Sequence, residues 1–240
     1  GSMTAKVVAI IQARLSSSRQ PAKVMLDLCG KTVLQRVIDR VRLASRVDEI
    51  WVATSQETWD DIVAFAAESY GVSVFRGSLL DVLDRFAGAA RAAQADVIVR
   101  CTADNPLLEY RFIDLGVERL LNENWEYLDF DQIPYGAHVW IMTRQALEKA
   151  HKEATQDFDR EHVCPYIFNN PGRFRMLRWD NPIAALRRPD LRITIDTMQD
   201  YYRMFQVFKH FSSEAEISLE KVISFLDSRS DLAVRDDPRT

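Results

Sequence analysis

Along the first half of the chain, short apolar runs alternate with longer stretches whose apolar positions recur every three to four residues. Lys6 to Ile11 (KVVAII) is almost continuously apolar, as a strand buried on both faces should be. Leu15 to Lys23 is polar and predicts a loop. Thr32 to Ser45 gathers Val33, Leu34, Val37, Ile38 and Val41 on one side of a 3.6-residue period, predicting a helix. Glu49 to Thr54 (EIWVAT) is a second strand. Thr58 is the expected cap of the next helix, with Asp61 three residues on as a weak capping box and Gly71 as its stop. A third strand covers Val72 to Phe75, a helix Asp81 to Gln94, and a fourth strand Asp96 to Cys101 (DVIVRC). This order predicts an α/β fold: a doubly wound, mostly parallel sheet with helices on both faces.

Beyond Pro106 the rhythm changes. A helix is predicted from about Tyr110 to Asn124. Two strands, Glu126 to Phe130 and Ala137 to Met142, follow around Pro134 and Gly136, a small strand insertion at about 125–142. Thr143 to Ala154 is an amphipathic helix, Phe174 to Trp179 and Leu191 to Ile195 are short strands, and Thr197 to Phe211 and Leu219 to Ser228 are helices. No repeat or linker interrupts the series, so 4–230 reads as one domain, with Gly1-Ser2-Met3 as a tag remnant and 231–240 as a frayed tail.

Composition adds limits. With 240 residues, 47% apolar and 28% charged, the chain has the make-up of an ordinary globular protein with an adequate core. Cys29, Cys101 and Cys164 form neither a C-x-x-C pair nor a disulfide framework. No signal-peptide pattern or bilayer-length apolar run is present, so a cytoplasmic location away from membranes is expected. The net charge of −4 advertises no nucleic-acid partner. The sign is uneven, however: eight Lys/Arg lie between Arg14 and Arg46 against Asp27 and Asp39. That suits a small anionic ligand, with Arg36, Arg40 and Arg42 read as a solvated helix face.

Ligands of open parallel sheets lie beyond the carboxyl ends of the strands. The loop after the first strand runs from Gln12 to Lys23 and fits neither G-x-G-x-x-G nor a P-loop. It offers instead Arg14, Arg19 and Lys23 with the hydroxyls of Ser16, Ser17 and Ser18, a donor set suited to a triphosphate. The loop after the fourth strand carries Asp104, and Asp196 ends the late predicted strand. Either alone reads as a turn or cap residue. Together with a cationic loop they suit Mg²⁺ bound to phosphates. Asp129-Phe130-Asp131 fits the D-x-D pattern of metal-dependent glycosyltransferases, but such pairs are common by chance and it is read as solvated.

Several blocks occur in order: Ile10 to Arg14 through Arg19-x-Pro21-x-Lys23, Val52 to Ser55, Phe75-Arg76-Gly77, Asp81 to Phe86, Thr102-Ala103-Asp104-x-Pro106-Leu107, Arg160-Glu161-His162-Val163-x-Pro165-Tyr166 and Ile195-Asp196-Thr197. Together they resemble the cytidylyltransferases of the spore coat polysaccharide biosynthesis protein F type, relatives of the CMP–sugar-acid synthetases. The resemblance runs from about Lys6 to Phe211. It implies transfer of CMP from CTP to an acceptor with loss of pyrophosphate, Mg²⁺ as cofactor, and a homodimer using the inserted strands. It implies a nucleotide site of Gln12, Ala13, Arg14, Ser16, Arg19, Lys23, Thr54, Arg76, Asp81, Arg85 and Asp104. Arg14, Arg19, Lys23, Asp104 and Asp196 would be catalytic, the two acids as metal ligands. Arg160, Glu161 and His162 match a segment near the acceptor. Where relatives often have Gly-Leu-Asp-Val-Glu-Val, this chain has Gly136-Ala137-His138-Val139-Trp140-Ile141. The exchange of two acids for His138 and Trp140 predicts an anionic acceptor. The rival expectations are a glycosyltransferase using Asp129 and Asp131, and a nucleotide-binding relative without turnover.

Overall fold

The computed structural model describes residues 4–16 and 22–232. Arg19, the tag remnant and most of the expected tail lie outside the described residues. Seven strands form one sheet in the order β3-β2-β1-β4-β6-β5-β7. They are β1 (Val7–Gln12), β2 (Glu49–Ser55), β3 (Ser73–Gly77), β4 (Val97–Thr102), β5 (Tyr127–Asp131), β6 (Trp140–Thr143) and β7 (Met176–Asp180). β6 runs antiparallel between β4 and β5, and every other pairing is parallel. The helices are α1 (Val33–Val41), α2 (Asp61–Ser69), α3 (Val82–Ala92), α4 (Tyr110–Glu123), α5 (Arg144–Glu153), α6 (Asp157–His162), α7 (Pro165–Phe168), α8 (Met198–His210) and α9 (Leu219–Ser228).

The period-two alternation of strand side chains divides the core in two. Val7, Ala9 and Ile11 of β1 pack with α1, α2, α4, α8 and α9, while Val8 and Ile10 pack with α3 and α5 and the buried residues of the α6–α7 region. A strand buried on both faces needs the continuous apolar run seen in its sequence.

Most predicted helices end where their caps dictate. Thr32 accepts from the Gln35 N–H, Asp81 from Asp84, and Thr143 from Ala146. Thr58 does not cap a helix. It opens a 3-10 turn, Thr58–Asp60, and α2 starts at Asp61. The expected strand Leu191–Ile195 is extended and buried but forms only an isolated bridge, Tyr135 with Arg192. Its amides are spent on two loops: Ile193 N–H donates to the Tyr135 carbonyl and Ile195 N–H to the Asp104 carbonyl. The short helices α6 and α7 had no periodic signal. Arg40 departs from the solvated face: it is buried, donates to the Leu108 and Ile217 carbonyls, and lies over the Tyr110 ring. The inserted strands β5 and β6 lie inside the sheet with both edges paired, so strand addition across a dimer has no edge to use there.

Candidate active site

Between β1 and β4 the strand order reverses direction, the switch point at which open α/β sheets bind their ligands. Three backbone bonds tie the chain together there: Ala13 N–H to the Ala53 carbonyl, Ala103 N–H to the Gln12 carbonyl, and Ile195 N–H to the Asp104 carbonyl. They bring the loop after β1, the loop after β4 and the 192–196 segment side by side.

At this junction Lys23 Nζ lies 3.0 Å from Asp104 Oδ1 and 3.3 Å from Asp196 Oδ1. Residues separated by 173 positions thus meet on one cationic centre. Protein packed around Asp104 raises its pKa, Lys23 pulls it back down, and the neighbouring charge of Asp196 raises it again. Arg14 is near enough to lower it as well. Two carboxylates drawn to one cation are a fitting donor set for Mg²⁺, which completes its shell with water and phosphate oxygens. Among the described residues no group of three or more His, Cys, Asp and Glu is placed to bind a metal, so a metal held by Asp104 and Asp196 would take the rest of its shell from substrate oxygens and water.

Asp196 is held by residues absent from the sequence reading. Its backbone N–H donates to Asp200 Oδ2 at 2.9 Å, and Arg192 Nη2 donates to its Oδ2 at 3.2 Å. Asp200, 1% exposed, accepts also from Arg192 Nε and Nη2, Arg203 Nη1 and Thr197 N–H. Burial alone would raise the Asp200 carboxyl, but these donors outweigh it and bring its pKa down to about 2. Thr197 and Asp200 form the capping box of α8, so the N-cap is Thr197 and Asp196 is left facing Lys23. The Thr197-x-x-Asp200 spacing was the available signal.

Ser16 Oγ, Thr54 Oγ1 and Arg85 Nη1 are buried without a hydrogen-bond partner among the described residues, although buried polar atoms are normally paired. Arg85 is fully buried and donates to the Ser78 and Leu79 carbonyls. Burial and then the nearby charge of Arg14 lower its pKa to about 10, against an opposing pull from Asp60. Gln12 Oε1 accepts from Arg100 Nη2 at 2.9 Å.

Two of the expected nucleotide residues have other duties. Arg76 donates to the Ser55 and Glu57 carbonyls and pairs with Asp61, so its guanidinium braces the turn after β2. Asp81 caps α3 and accepts from Arg160 Nε at 3.0 Å and Nη2 at 2.9 Å. Burial raises the Asp81 pKa, but the Arg160 and Asp84 hydrogen bonds give a net lowering. Arg160 donates also to the His151 and Ala154 carbonyls, tying α6 to α3 and α5. Glu161 and His162 are exposed on α6, with Phe158 against the His162 ring.

His138 and Trp140 stack at 5.4 Å with 9° between their planes. Tyr135 meets His138 edge-on, Arg192 lies over Tyr135, and Arg100 lies 4.6 Å over Trp140. The ladder therefore joins Arg192, which touches Asp196, to Arg100, which touches Gln12. Gly136, at φ +115°, lets the Tyr135–His138 turn settle on the 193–194 backbone: a Cβ there would meet Thr194 N at 2.7 Å.

Asp129 is buried rather than solvated. Arg178 donates to both its oxygens at 2.8 Å and Tyr127 Oη donates at 2.7 Å. Its lone pairs are committed to a structural pair, which removes the support for a D-x-D metal site; Asp131 alone is exposed.

This architecture has known counterparts. The chain is 40% identical to the uncharacterized protein MJ1063 of Methanocaldococcus jannaschii, over 92% of this chain and 90% of that one. It is 31% identical to the spore coat polysaccharide biosynthesis protein SpsF of Bacillus subtilis, over 95% and 96%. A solved cytidylyltransferase from Leptospira borgpetersenii superposes with TM-score 0.90 at 30% identity, covering 98% of both chains. Two more distant structures share the fold. CMP:2-keto-3-deoxy-manno-octonic acid synthetase complexed with CTP has TM-score 0.66 and 18% identity, over 85% of this chain and 99% of that one. Rv0371c of Mycobacterium tuberculosis in complex with manganese has TM-score 0.55 and 17% identity, over 85% and 99%. The cytidylyltransferase family profile itself matches residues 8–234, from β1 through the end of the described chain, Lys23, Asp104 and Asp196 included, and the chain belongs to that family.

Proposed function

We propose that the protein transfers CMP from CTP to a small anionic acceptor, releasing pyrophosphate, with Mg²⁺ as the divalent cation. The observation that carries this reading is the convergence of Asp104, Lys23 and Asp196 at the sheet's switch point. The synthetase that shares this fold was solved with CTP and Rv0371c with manganese, which supports a nucleotide and a divalent metal as ligands of the fold. SpsF, at 31% identity over nearly the whole chain, supports a product used in surface polysaccharide synthesis.

In the reaction, an acceptor oxygen, either an oxyanion or a hydroxyl that gives up its proton to water, attacks the α-phosphorus in line. A new P–O bond forms, the bond between the α-phosphorus and the bridging oxygen breaks, and pyrophosphate carries away that electron pair. Lys23, with Arg14 and the Arg19 that the sequence motif supplies, would neutralise the triphosphate and the leaving group, and charge neutralisation with positioning accounts for most of the catalysis. Ser16, Thr54 and Arg85 offer their unpartnered donors to the nucleotide, while Gln12 and Ala13 line the end of β1. Asp104 and Asp196 would hold Mg²⁺, which when bound contributes positive charge to the phosphate oxygens.

The acceptor class follows from the aromatic ladder. Tyr135, His138 and Trp140 carry no negative charge, and Arg100 and Arg192 flank them. A sugar acid, or a phosphorylated or phosphonate-bearing small molecule, is favoured there over a neutral sugar. Arg160 is spent on Asp81 and on the His151 and Ala154 carbonyls, while Glu161 and His162 stand exposed on α6.

The test is pyrophosphate release from each of the four nucleoside triphosphates with Mg²⁺ and a panel of neutral and anionic acceptors. Release is expected with CTP and an anionic acceptor. Release only with another nucleotide, or only with neutral sugars, contradicts the reading.

A further inference from the structure

Asp60 is fully buried, yet it lies outside the cluster that holds the two candidate metal carboxylates. It sits in the turn after β2, and its first oxygen accepts from the Leu15 N–H at 2.7 Å. Its second oxygen accepts from Ser55 Oγ, which in turn accepts from the Glu57 N–H at 3.2 Å. Leu15 lies between Arg14 and Ser16, so this carboxylate pins the loop expected to grip the triphosphate, between two of its donors. The turn carrying Asp60 is itself braced by Arg76, which donates to the Ser55 carbonyl at 2.9 Å and the Glu57 carbonyl at 2.8 Å, and pairs with Asp61 at 2.7 Å.

We propose that Asp60 is a positioning residue for CTP binding: its carboxylate, held by Ser55 and by a turn that Arg76 braces, fixes the Leu15 amide and thereby the placement of Arg14 and Ser16. The inference rests on the nucleotidyltransfer reading and adds a residue that touches no substrate atom. A buried carboxylate makes a good anchor. A charge-assisted bond to a backbone N–H is shorter and stronger than a neutral one, and water does not compete for it. Asp60 also sets its negative charge against buried Arg85, which already has the positive charge of Arg14 nearby. The anchor therefore offsets part of the positive charge crowded beneath the loop. The sequence hid this role because Asp60-Asp61 at a helix start reads as ordinary first-turn acids.

The experiment compares Asp60→Ala, Asp60→Asn and Ser55→Ala with the wild type. It reads KM for CTP, kcat, the acceptor KM, and hydrogen exchange of the Leu15 amide. Asp60→Ala should raise the CTP KM about tenfold or more, change kcat at saturating CTP by less than about threefold, leave the acceptor KM unmoved, and speed Leu15 exchange. Asp60→Asn keeps an oxygen for the Leu15 N–H and should stay within about threefold of wild type. Ser55→Ala removes the hydroxyl that holds the carboxylate, together with its bond from the Glu57 N–H; it should raise the CTP KM about two- to fivefold, and it decides the matter if Asp60→Ala does not fold. A folded Asp60→Ala, or failing that Ser55→Ala, with wild-type CTP KM or unchanged Leu15 exchange overturns the proposal, even if its melting temperature falls. A wild-type protein that does not turn over CTP at all overturns the nucleotidyltransfer reading instead.

Discussion

Replacing Asp200 by Asn should cost both stability and activity, and the structure sets the scale. The Asp200 and Arg192 side chains are 2% and 7% exposed, and Arg203 is 4% exposed. Asn keeps the shape but removes the charge, leaving two buried guanidinium groups short of their counterion. Breaking a buried pair from one side typically costs about 3–5 kcal/mol. At roughly 2–4 °C per kcal/mol for a chain of this size, the melting temperature should fall by about 10 °C. Acid provides a second check. The native carboxyl titrates near 2, an unfolded aspartate near 3.9, so the unfolded chain binds the proton first on acidification. The contribution is therefore complete above about pH 4 and is lost as pH falls toward 2, a change of about 2 kcal/mol. Chemical unfolding of both proteins across this range reads it: the gap between wild type and variant should narrow as pH falls. The assay for activity is pyrophosphate release, which should drop with the loosened Asp196. A variant melting within about 2 °C of wild type at neutral pH, or a gap independent of pH, refutes the reasoning.

Other outcomes follow from the same geometry. Asp104→Asn and Asp196→Asn should each remove most turnover while circular dichroism stays native, and near-normal turnover in either variant makes that residue a turn or cap only. CTP with Mg²⁺ at a hundredfold excess over Kd should stabilise by about 2.7 kcal/mol, several degrees by thermal shift, and an equal shift with ATP counts against CTP preference. Asp129→Asn should lower the melting temperature, because Arg178 and Tyr127 lose their partner, yet leave the turnover of folded protein intact. His138→Asp with Trp140→Glu should sharply raise the KM of an anionic acceptor while CTP affinity holds, and an unchanged acceptor KM removes the ladder from the acceptor site. A thiol reagent should label Cys29 first in the native protein, since burial pushes the Cys101 thiol up to about 12 and Cys164 up to about 11.

The parts of the molecule legible in the sequence are those with local causes. KVVAII reads as a strand because both faces of β1 are covered. Helix starts at Thr32, Asp81 and Thr143 read correctly because each cap is a bond to an amide three residues on. What stayed hidden was set by distant partners. Leu191–Ile195 carries a strand pattern, but its amides go to loops at Tyr135 and Asp104. Asp129 looked solvated because its neutralising cation, Arg178, comes from a strand 49 residues later. Arg40 reads as a surface charge on α1, while the carbonyls that bury it belong to Leu108 and Ile217. Within the candidate site, Lys23, Asp104 and Asp196 were each ambiguous alone, and the order of motifs joined them. Asp60 leaves no spacing of its own because its work is on a distant backbone amide, while Asp200 signals only its capping box with Thr197 and not its grip on Arg192 and Arg203.

A crystal of the protein with CTP and Mn²⁺ tests the central claim most directly, because the anomalous signal reports where the metal sits. The account predicts a single strong peak coordinated by Asp104, Asp196 and the phosphates of CTP, with Arg14 on the triphosphate. A peak at Asp129 and Asp131, or a CTP bound away from Lys23, would contradict it.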